Sequence, residues 1–278
     1  MAQKLSFIPH IERLSERVTR VLGCNPGSFT LQGTNTYLVG TGNRKILIDT
    51  GEPDKPEYIV NLLKALEDLR CSIQEIVITH WHGDHVGGVP DVCREVMNST
   101  ETKVSKFKRL SQPDRDLGKI SYNFVENNHI FKTEGATLRA IHTPGHTEEH
   151  MSLQLEEENA IFSGDTVLGE GTTVFEDLHS YMGSLQKLKD LRPSIIYPAH
   201  GPVVTNPIDK LTFYIEHRMA RERQVLGVLQ SDKSKAFTPM QIMEKVYEDL
   251  APGLKPAATN NVVHHLNKLL KDGKVGKL

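Results

Sequence analysis

Between Thr79 and His85 the chain reads Thr-His-Trp-His-Gly-Asp-His, so four side chains with metal-binding heads, His80, His82, Asp84 and His85, fall within six consecutive positions. A hydrophobic core has little use for such a string, because every buried imidazole nitrogen needs a partner. The residues just upstream, Glu75-Ile-Val-Ile, form a β-branched run that delivers the string to the end of a strand. In extended chain alternate residues share a face, so His80 and His82 reach one ion together. Once the chain turns, Asp84 and His85 point elsewhere, which calls for a second ion beside the first. Imidazole with carboxylate suits zinc, and the lack of Cys ligands argues against a closed structural site. Two open zinc ions sharing a water would make a hydrolase.

The missing ligands are supplied further along. His146 lies in Thr-Pro-Gly-His-Thr, Asp165 in Phe-Ser-Gly-Asp-Thr and His200 in Tyr-Pro-Ala-His-Gly, and each follows an apolar run. Each therefore sits where a strand gives way to a Gly-bearing turn, as in the first motif.

With these residues assembled, the sequence resembles the metallo-β-lactamase superfamily, whose motifs take the form HxHxDH, then one His, one Asp and one His. By that resemblance His80, His82 and His146 bind a first zinc, Asp84, His85 and His200 bind a second, and Asp165 bridges the two Zn2+ ions held per chain. Asp49, in Leu-Ile-Asp-Thr-Gly, matches a family position that supports the ligands from behind, where a carboxylate fixes a histidine's tautomer. The resemblance implies an α/β fold, a four-layered αββα sandwich with the metals at one edge of its two sheets. Three further stretches, Leu31-Gln-Gly-Thr-Asn-Thr-Tyr-Leu-Val-Gly, the run from Gly164 to Leu178, and His217-Arg with Arg221-Glu, resemble the β-lactamase-like protein 2 group over nearly the whole chain. That group implies a metal-dependent endoribonuclease that cuts single-stranded RNA in the mitochondrial matrix.

The chemistry agrees with a phosphodiester substrate. Zinc lowers the pKa of its water, and a paired site stabilises both the attacking and the leaving oxygen of an in-line displacement, here through a bridging hydroxide. Asp84 and Asp165 are the expected catalytic carboxylates, Asp84 also orienting the nucleophile. His150, four residues after a ligand, is a candidate for the acid that protonates the leaving oxygen, weighed against a structural histidine satisfied by backbone. Arg218 and Arg221, one turn apart, can share a face toward phosphate, or pair with Glu216 or Glu222 at the surface. Lys103, Lys106, Lys108 and Arg109 read as a solvated strand edge before they read as RNA contacts. Trp81 reads as packing under the site before it reads as a base-stacking platform.

These ligands need a scaffold. Strand-like runs fall at 18–22, 36–39, 45–48, 102–106, 121–125, 138–141, 152–155, 160–163 and 195–197, with helical patterns at 56–69, 90–97 and 184–191. In the first helix the apolar positions are Ile59, Leu62, Leu63 and Leu66. This alternation suits a layered α/β catalytic domain over residues 1–206. From 207 to 278 the pattern changes to helices at 208–229, 239–250 and 257–271, with Thr238-Pro239 as a helix start and Asp232-Lys-Ser-Lys as a break. This tail resembles a winged-helix appendage with a stunted wing; helices that merely pad the sheet are the alternative.

The chain carries 33 basic and 35 acidic residues, a net charge of −2, but residues 207–278 hold 12 Lys and Arg against 8 Asp and Glu, leaving 21 against 27 before them. The tail is the basic part. No apolar run approaches the length of a membrane span, so no membrane association is expected, and no obligate protein partner is indicated. Cys24, Cys71 and Cys93 show no ligand spacing and fit a reducing compartment. The first twenty residues include Lys4, Arg13, Arg17 and Arg20, as an import segment would, but Glu12 and Glu16 interrupt them, so the cytoplasm stays open beside the matrix.

Three activities compete. The basic tail favours the nuclease. A thioester hydrolase of the glyoxalase II kind shares the HxHxDH string and needs no basic surface. A lactamase is least attractive, because Met1 to His10 lacks a secretory signal. A protein that keeps the ligands only as scaffold is disfavoured by their full number. Only 35 positions separate Asp165 from His200, too few for the extra domain of the larger nucleic-acid-processing members. The substrate is therefore expected to be an accessible single strand lying between catalytic domain and tail.

Overall fold

The β-branched runs pair into two sheets. In this computed structural model, which describes residues 5–232 and 234–276, the first sheet is built from β1 (Ile11–Arg13), β2 (Val18–Leu22), β3 (Asn35–Val39), β4 (Arg44–Ile48), β5 (Ser72–Val77), β6 (Val104–Lys106) and β7 (Tyr122–Phe124), in that spatial order. Lys4 and Lys233 lie outside the described residues. The second sheet comprises β8 (Ile130–Thr133), β9 (Ala136–His142), β10 (Met151–Leu155), β11 (Ala160–Gly164) and β12 (Ile195–Pro198), in the order β12-β11-β10-β9-β8.

The pairings that place the site are parallel. Ile48 at the end of β4 lies opposite Val77 at the end of β5, so Asp49 and the string from Thr79 leave the first sheet at the same edge. Gly164 of β11 lies opposite Pro198 of β12, which brings Asp165 and His200 out together from the second sheet. Chemistry at the carboxyl ends of adjacent parallel strands follows from the chain having to turn there while the sheet holds its origin fixed.

Between the sheets runs an apolar layer in which Val18, Ile46, Ile48 and Val77 meet Leu138, Leu153 and Phe162. Tyr37 reaches across, its ring 5.1 Å from Phe162 and 5.9 Å from Tyr197, and its buried hydroxyl donates to the Pro198 carbonyl at 2.6 Å. On the outer face of the first sheet lies α1 (Pro56–Asp68), which buries Tyr58, Leu62, Ala65 and Leu66 but turns Leu63 outward, unlike the sequence pattern. The metal string itself turns into α2 (Gly83–Val86), and α3 (Val89–Asp91) runs on into a π-helical turn, Val92–Val96, where one continuous helix over 90–97 was expected.

The second sheet is covered by α4 (Leu178–Asp190) and the first half of α5 (Pro207–Ser231), whose Leu185, Leu188, Leu211 and Tyr214 share one core with Ile161 and Ile196. Helix, sheet, sheet, helix is the predicted αββα sandwich. The start of α4 lies six residues before the expected Ser184, because Asp177 caps it, accepting from the Ser180 amide at 3.1 Å, while Gly183 in its interior obscured the periodicity. Beyond Ser231, α6 (Pro239–Val246) begins with a capping box between Thr238 and Gln241, and α7 (Lys255–Lys271) completes the tail. Val225 of α5 packs there with Ile242, Met243, Val262 and Leu269 in a separate core. Among the described residues no strand follows β12, so a wing hairpin is absent from that part of the chain.

Candidate metal centre

Three imidazole nitrogens converge at the strand ends. His80 Nε2 stands 2.9 Å from His82 Nδ1, and His146 Nε2 stands 3.2 and 3.1 Å from these two atoms. Ligands held about 2.1 Å from one tetrahedral ion stand about 3.4 Å apart, so the three nitrogens lie close to the spacing of a metal's ligands. The second group is equally close: His85 Nε2 and His200 Nε2 each lie 3.2 Å from Asp84 Oδ2.

Asp165 joins the two. Its Oδ2 lies 3.4 Å from His146 Nε2, while its Oδ1 lies 3.3 Å from His200 Nε2 and 3.6 Å from His85 Nε2. One carboxylate thus offers an oxygen to each group, as a bridging ligand must. His85 Nε2 and Asp165 Oδ1 are buried with no hydrogen-bond partner. Such orphaned atoms are costly, and cations placed among them would satisfy both. All seven expected ligands assemble as two adjacent groups.

The other ring nitrogens are fixed from behind. His85 Nδ1 donates to Asp49 Oδ2 at 2.8 Å, and Asp49 also accepts from the amide and hydroxyl of Thr79, both at 2.8 Å, as befits the supporting role expected of it. His146 Nδ1 donates to the Val174 carbonyl at 2.8 Å, and His200 Nδ1 to the Gly33 carbonyl at 3.3 Å. In each case the outer bond fixes the ring so that Nε2 points inward.

Electrostatics separates the two groups. Burial, reinforced by the neighbouring imidazoles, depresses the pKa of His80 strongly and that of His82 to about 4. These rings are neutral at physiological pH, the form that binds metal. Burial also opposes charge on His85, but Asp84, Asp165 and Asp49 outweigh it and raise its pKa well above the usual value. Asp84 is held far below the ordinary carboxylate range: burial acts against its charge, and His85 and His200 overcome it.

Residues 29–200 match the metallo-beta-lactamase superfamily profile, and residues 238–278 match that of the beta-lactamase associated winged helix domain. The chain belongs to the metallo-beta-lactamase superfamily. It is 51% identical over 271 residues to a beta-lactamase-like protein 2 homolog of Caenorhabditis elegans, covering 98% of this chain and 90% of that one. It is also 42% identical over 278 residues to an atrochrysone carboxyl ACP thioesterase of Aspergillus chevalieri, covering 98% and 87%. Among solved structures, a beta-lactamase domain protein from Burkholderia ambifaria superposes with a TM-score of 0.76 at 16% identity, over 96% of this chain and 90% of the other, which shows the shared fold.

The remaining residues singled out in the sequence of this metallo-beta-lactamase homologue lie elsewhere. His150 is fully buried; its Nε2 accepts from the Asp165 amide at 3.0 Å and its Nδ1 meets the Thr143 hydroxyl at 2.9 Å. Both nitrogens are occupied, so the ring anchors the turn carrying the bridging aspartate and has no lone pair or proton to spare for a leaving group. The turn is tight: Gly164 has φ +49°, and a Cβ there would stand 2.5 Å from His150 Nε2.

Arg218 does not face solvent phosphate either. It is 7% exposed, donates to the Thr173 carbonyl at 3.0 Å and lies over the Phe175 ring at 4.8 Å. Arg221 lies 3.9 Å over the Tyr247 ring and donates to the Val246 carbonyl at 3.3 Å. Both arginines serve packing, because the face of α5 they share is the one on which the tail folds back. Lys106 is buried and paired with Asp114, β6 being an interior strand of its sheet. Residue types gave no warning of Val174 and Gly33, which act through backbone. Thr34, whose hydroxyl lies 3.4 Å from Asp84 Oδ2, was visible only as part of the Leu31–Gly40 resemblance.

Proposed function

We propose that this metallo-beta-lactamase-fold hydrolase is a zinc-dependent endoribonuclease acting on single-stranded RNA. The observation that carries the reading is the groove at the metal centre. It has a volume of about 510 Å3 and is lined by Asp84, His146, Asp165 and His200 together with two aromatic side chains, Phe29 and Trp81. Phe29 is 78% exposed, as a base-stacking surface has to be. Cations flank the same groove: Arg109 lies 4.1 Å over the Trp81 ring, and the Arg115 guanidinium stands 2.9 Å from where a Cβ on Gly83 would be. An open groove with stacking faces and basic edges suits an unpaired strand better than a duplex.

The nitrogen and oxygen donor set fits zinc, with His80, His82 and His146 at one position, Asp84, His85 and His200 at the other, and Asp165 shared. When bound, the metals supply Lewis acidity and an activated water at neutral pH. The protein's own part is positional. Asp84, with 18% of its side chain exposed against 11% for Asp165, is the carboxylate with the better access to the groove, and it remains ionised, so it can accept the nucleophile's hydrogen bond and aim it. Arg109 and Arg115 bind the phosphates on either side of the scissile bond, and Phe29 and Trp81 hold the adjoining bases. The mitochondrial matrix location implied by the family resemblance belongs to the same proposal, with the cytosol as its alternative; cell fractionation separates them.

Thioester hydrolysis is the second reading, favoured by the 42% identity to a relative named as an acyl-carrier-protein thioesterase. Assaying the zinc-loaded protein on an unstructured RNA, the same RNA annealed to its complement, and S-lactoylglutathione decides between the two. We expect the single strand to be cut, the duplex spared and chelation to abolish cleavage. Turnover of the thioester with the RNA left intact would refute the nuclease.

A further inference from the structure

Beyond the part of α5 that covers the second sheet, the tail meets the catalytic domain around residues 171–179. The segment from Gly171 to Asp177 runs along the groove, with Thr173 and Val174 in its wall. It is also the segment whose Val174 carbonyl accepts from His146 Nδ1, and the Thr173 hydroxyl stands 3.3 Å from the same nitrogen. Tyr214 of α5 donates to the Gly171 carbonyl at 3.0 Å, and four further tail residues converge on the segment or on the start of α4 just beyond. Arg218 of α5 donates to the Thr173 carbonyl and covers Phe175, His264 of α7 meets the edge of Phe175 at 5.2 Å, Lys271 pairs with Asp177 at 2.8 Å, and Asp272 bonds His179 at 2.9 Å.

Arg218 is the unusual member. It is buried, yet it makes no ion pair among the described residues; the partners it has are a carbonyl and an aromatic face. A buried guanidinium without a carboxylate is expensive, and an apolar side chain would fill the space at less cost. Its planar fork does what an apolar chain cannot: it holds one peptide carbonyl in place while lying flat on the adjoining ring. The peptide so held is the one next to the carbonyl that orients His146.

We propose that Arg218 is a positioning residue for the metal centre, holding the 171–175 segment so that Val174 fixes the tautomer and angle of His146, and thereby making the affinity of the first metal position depend on the docked tail. The second position is oriented by Asp49 and Gly33, neither of which Arg218 holds. This holds for whichever substrate the groove accepts.

The test compares Arg218→Met, Arg218→Lys and Arg221→Met, each loaded with zinc and titrated with a chelator while bound metal is counted. For Arg218→Met we expect one of the two metals to be lost at a chelator concentration about 10-fold lower, the low end for groups that orient a ligand from outside, with the other metal retained as in the wild type. Arg218→Lys should fall between, since lysine keeps the charge but not the fork, and Arg221→Met should match the wild type. In cobalt-loaded protein the exchangeable N–H resonance of His146 should broaden in Arg218→Met, while those of His85 and His200 stay sharp. Unchanged metal retention with an unaltered His146 resonance would overturn the proposal, as would an equal loss in Arg221→Met, which would mean that any weakening of the tail suffices. If Arg218→Met does not fold, Phe175→Leu, which removes the surface under the guanidinium, must give the same selective loss or the proposal fails.

Discussion

Asp49 Oδ2 lies 2.8 Å from Nδ1 of His85, and this one carboxylate also receives both hydrogen bonds of Thr79. The end of β4 thereby sets the orientation of a ligand and of the peptide that leads into the His80 string.

Exchanging Asp49 for Asn should therefore cost metal at the second position first. An amide facing His85 offers a donor where the imidazole needs an acceptor, which favours the tautomer with its proton on the inward nitrogen. Losing such an outer partner costs about 10- to 100-fold in metal affinity. Metal counting by native mass spectrometry on Asp49→Asn should show mostly singly loaded protein; full double loading would contradict this role.

Asp165 offers separate oxygens to the two groups, so its removal should be felt at both. Asp165→Ala is expected to bind fewer than two metals and to lower kcat/KM by at least about 100-fold. A variant that keeps two metals and loses only turnover would reduce Asp165 to a purely chemical role.

Arg115 is exposed beside Gly83, whereas Arg218 is buried. Neutralising one phosphate contact to a single strand changes the slope of log K against log salt by about 0.7. RNA binding by metal-loaded Arg115→Gln should show a slope shallower by that amount, measured by fluorescence anisotropy between low and moderate salt. Equal slopes would remove Arg115 from the RNA path.

Acid should loosen the tail. Partial burial opposes charge on Glu222, but hydrogen bonds from Lys268 and Lys274, at 2.6 and 2.7 Å, outweigh it and hold its pKa below the ordinary glutamate value. A carboxylate with a depressed folded pKa contributes stability that is complete above its unfolded pKa and is lost as pH falls through the folded one. The contribution of Glu222 to the denaturant midpoint should thus be level above about pH 5 and decline below it. In Glu222→Gln the fall of the midpoint with acid should be shallower, and an identical profile would exclude the contribution.

The metal centre was legible because four of its seven ligands fall within six consecutive positions and the other three, His146, Asp165 and His200, each follow a strand in a turn that contains glycine or proline. Periodicity likewise revealed α1 and the tail helices. It missed β1 and β8, which are edge strands of three and four residues with too few apolar positions to alternate. It also missed the second layer of the site. Val174 and Gly33 contribute carbonyls, which every residue type possesses, so no motif records them. Arg218 and Arg221 were misplaced for a related reason: helical spacing puts them on one face, but only the folded tail decides what that face meets.

Helix α5 belongs to two cores at once, giving Leu211 and Tyr214 to the sandwich and Val225 to the tail. A single rod of 25 residues shared in this way couples the melting of both halves, since neither core can dissolve without stripping support from one end of the helix. The protein should accordingly denature in one cooperative step. The emission of Trp81, the lone tryptophan, reports on the sandwich, and fluorescent labels placed on α6 and α7 report on the tail; the two probes should trace the same midpoint.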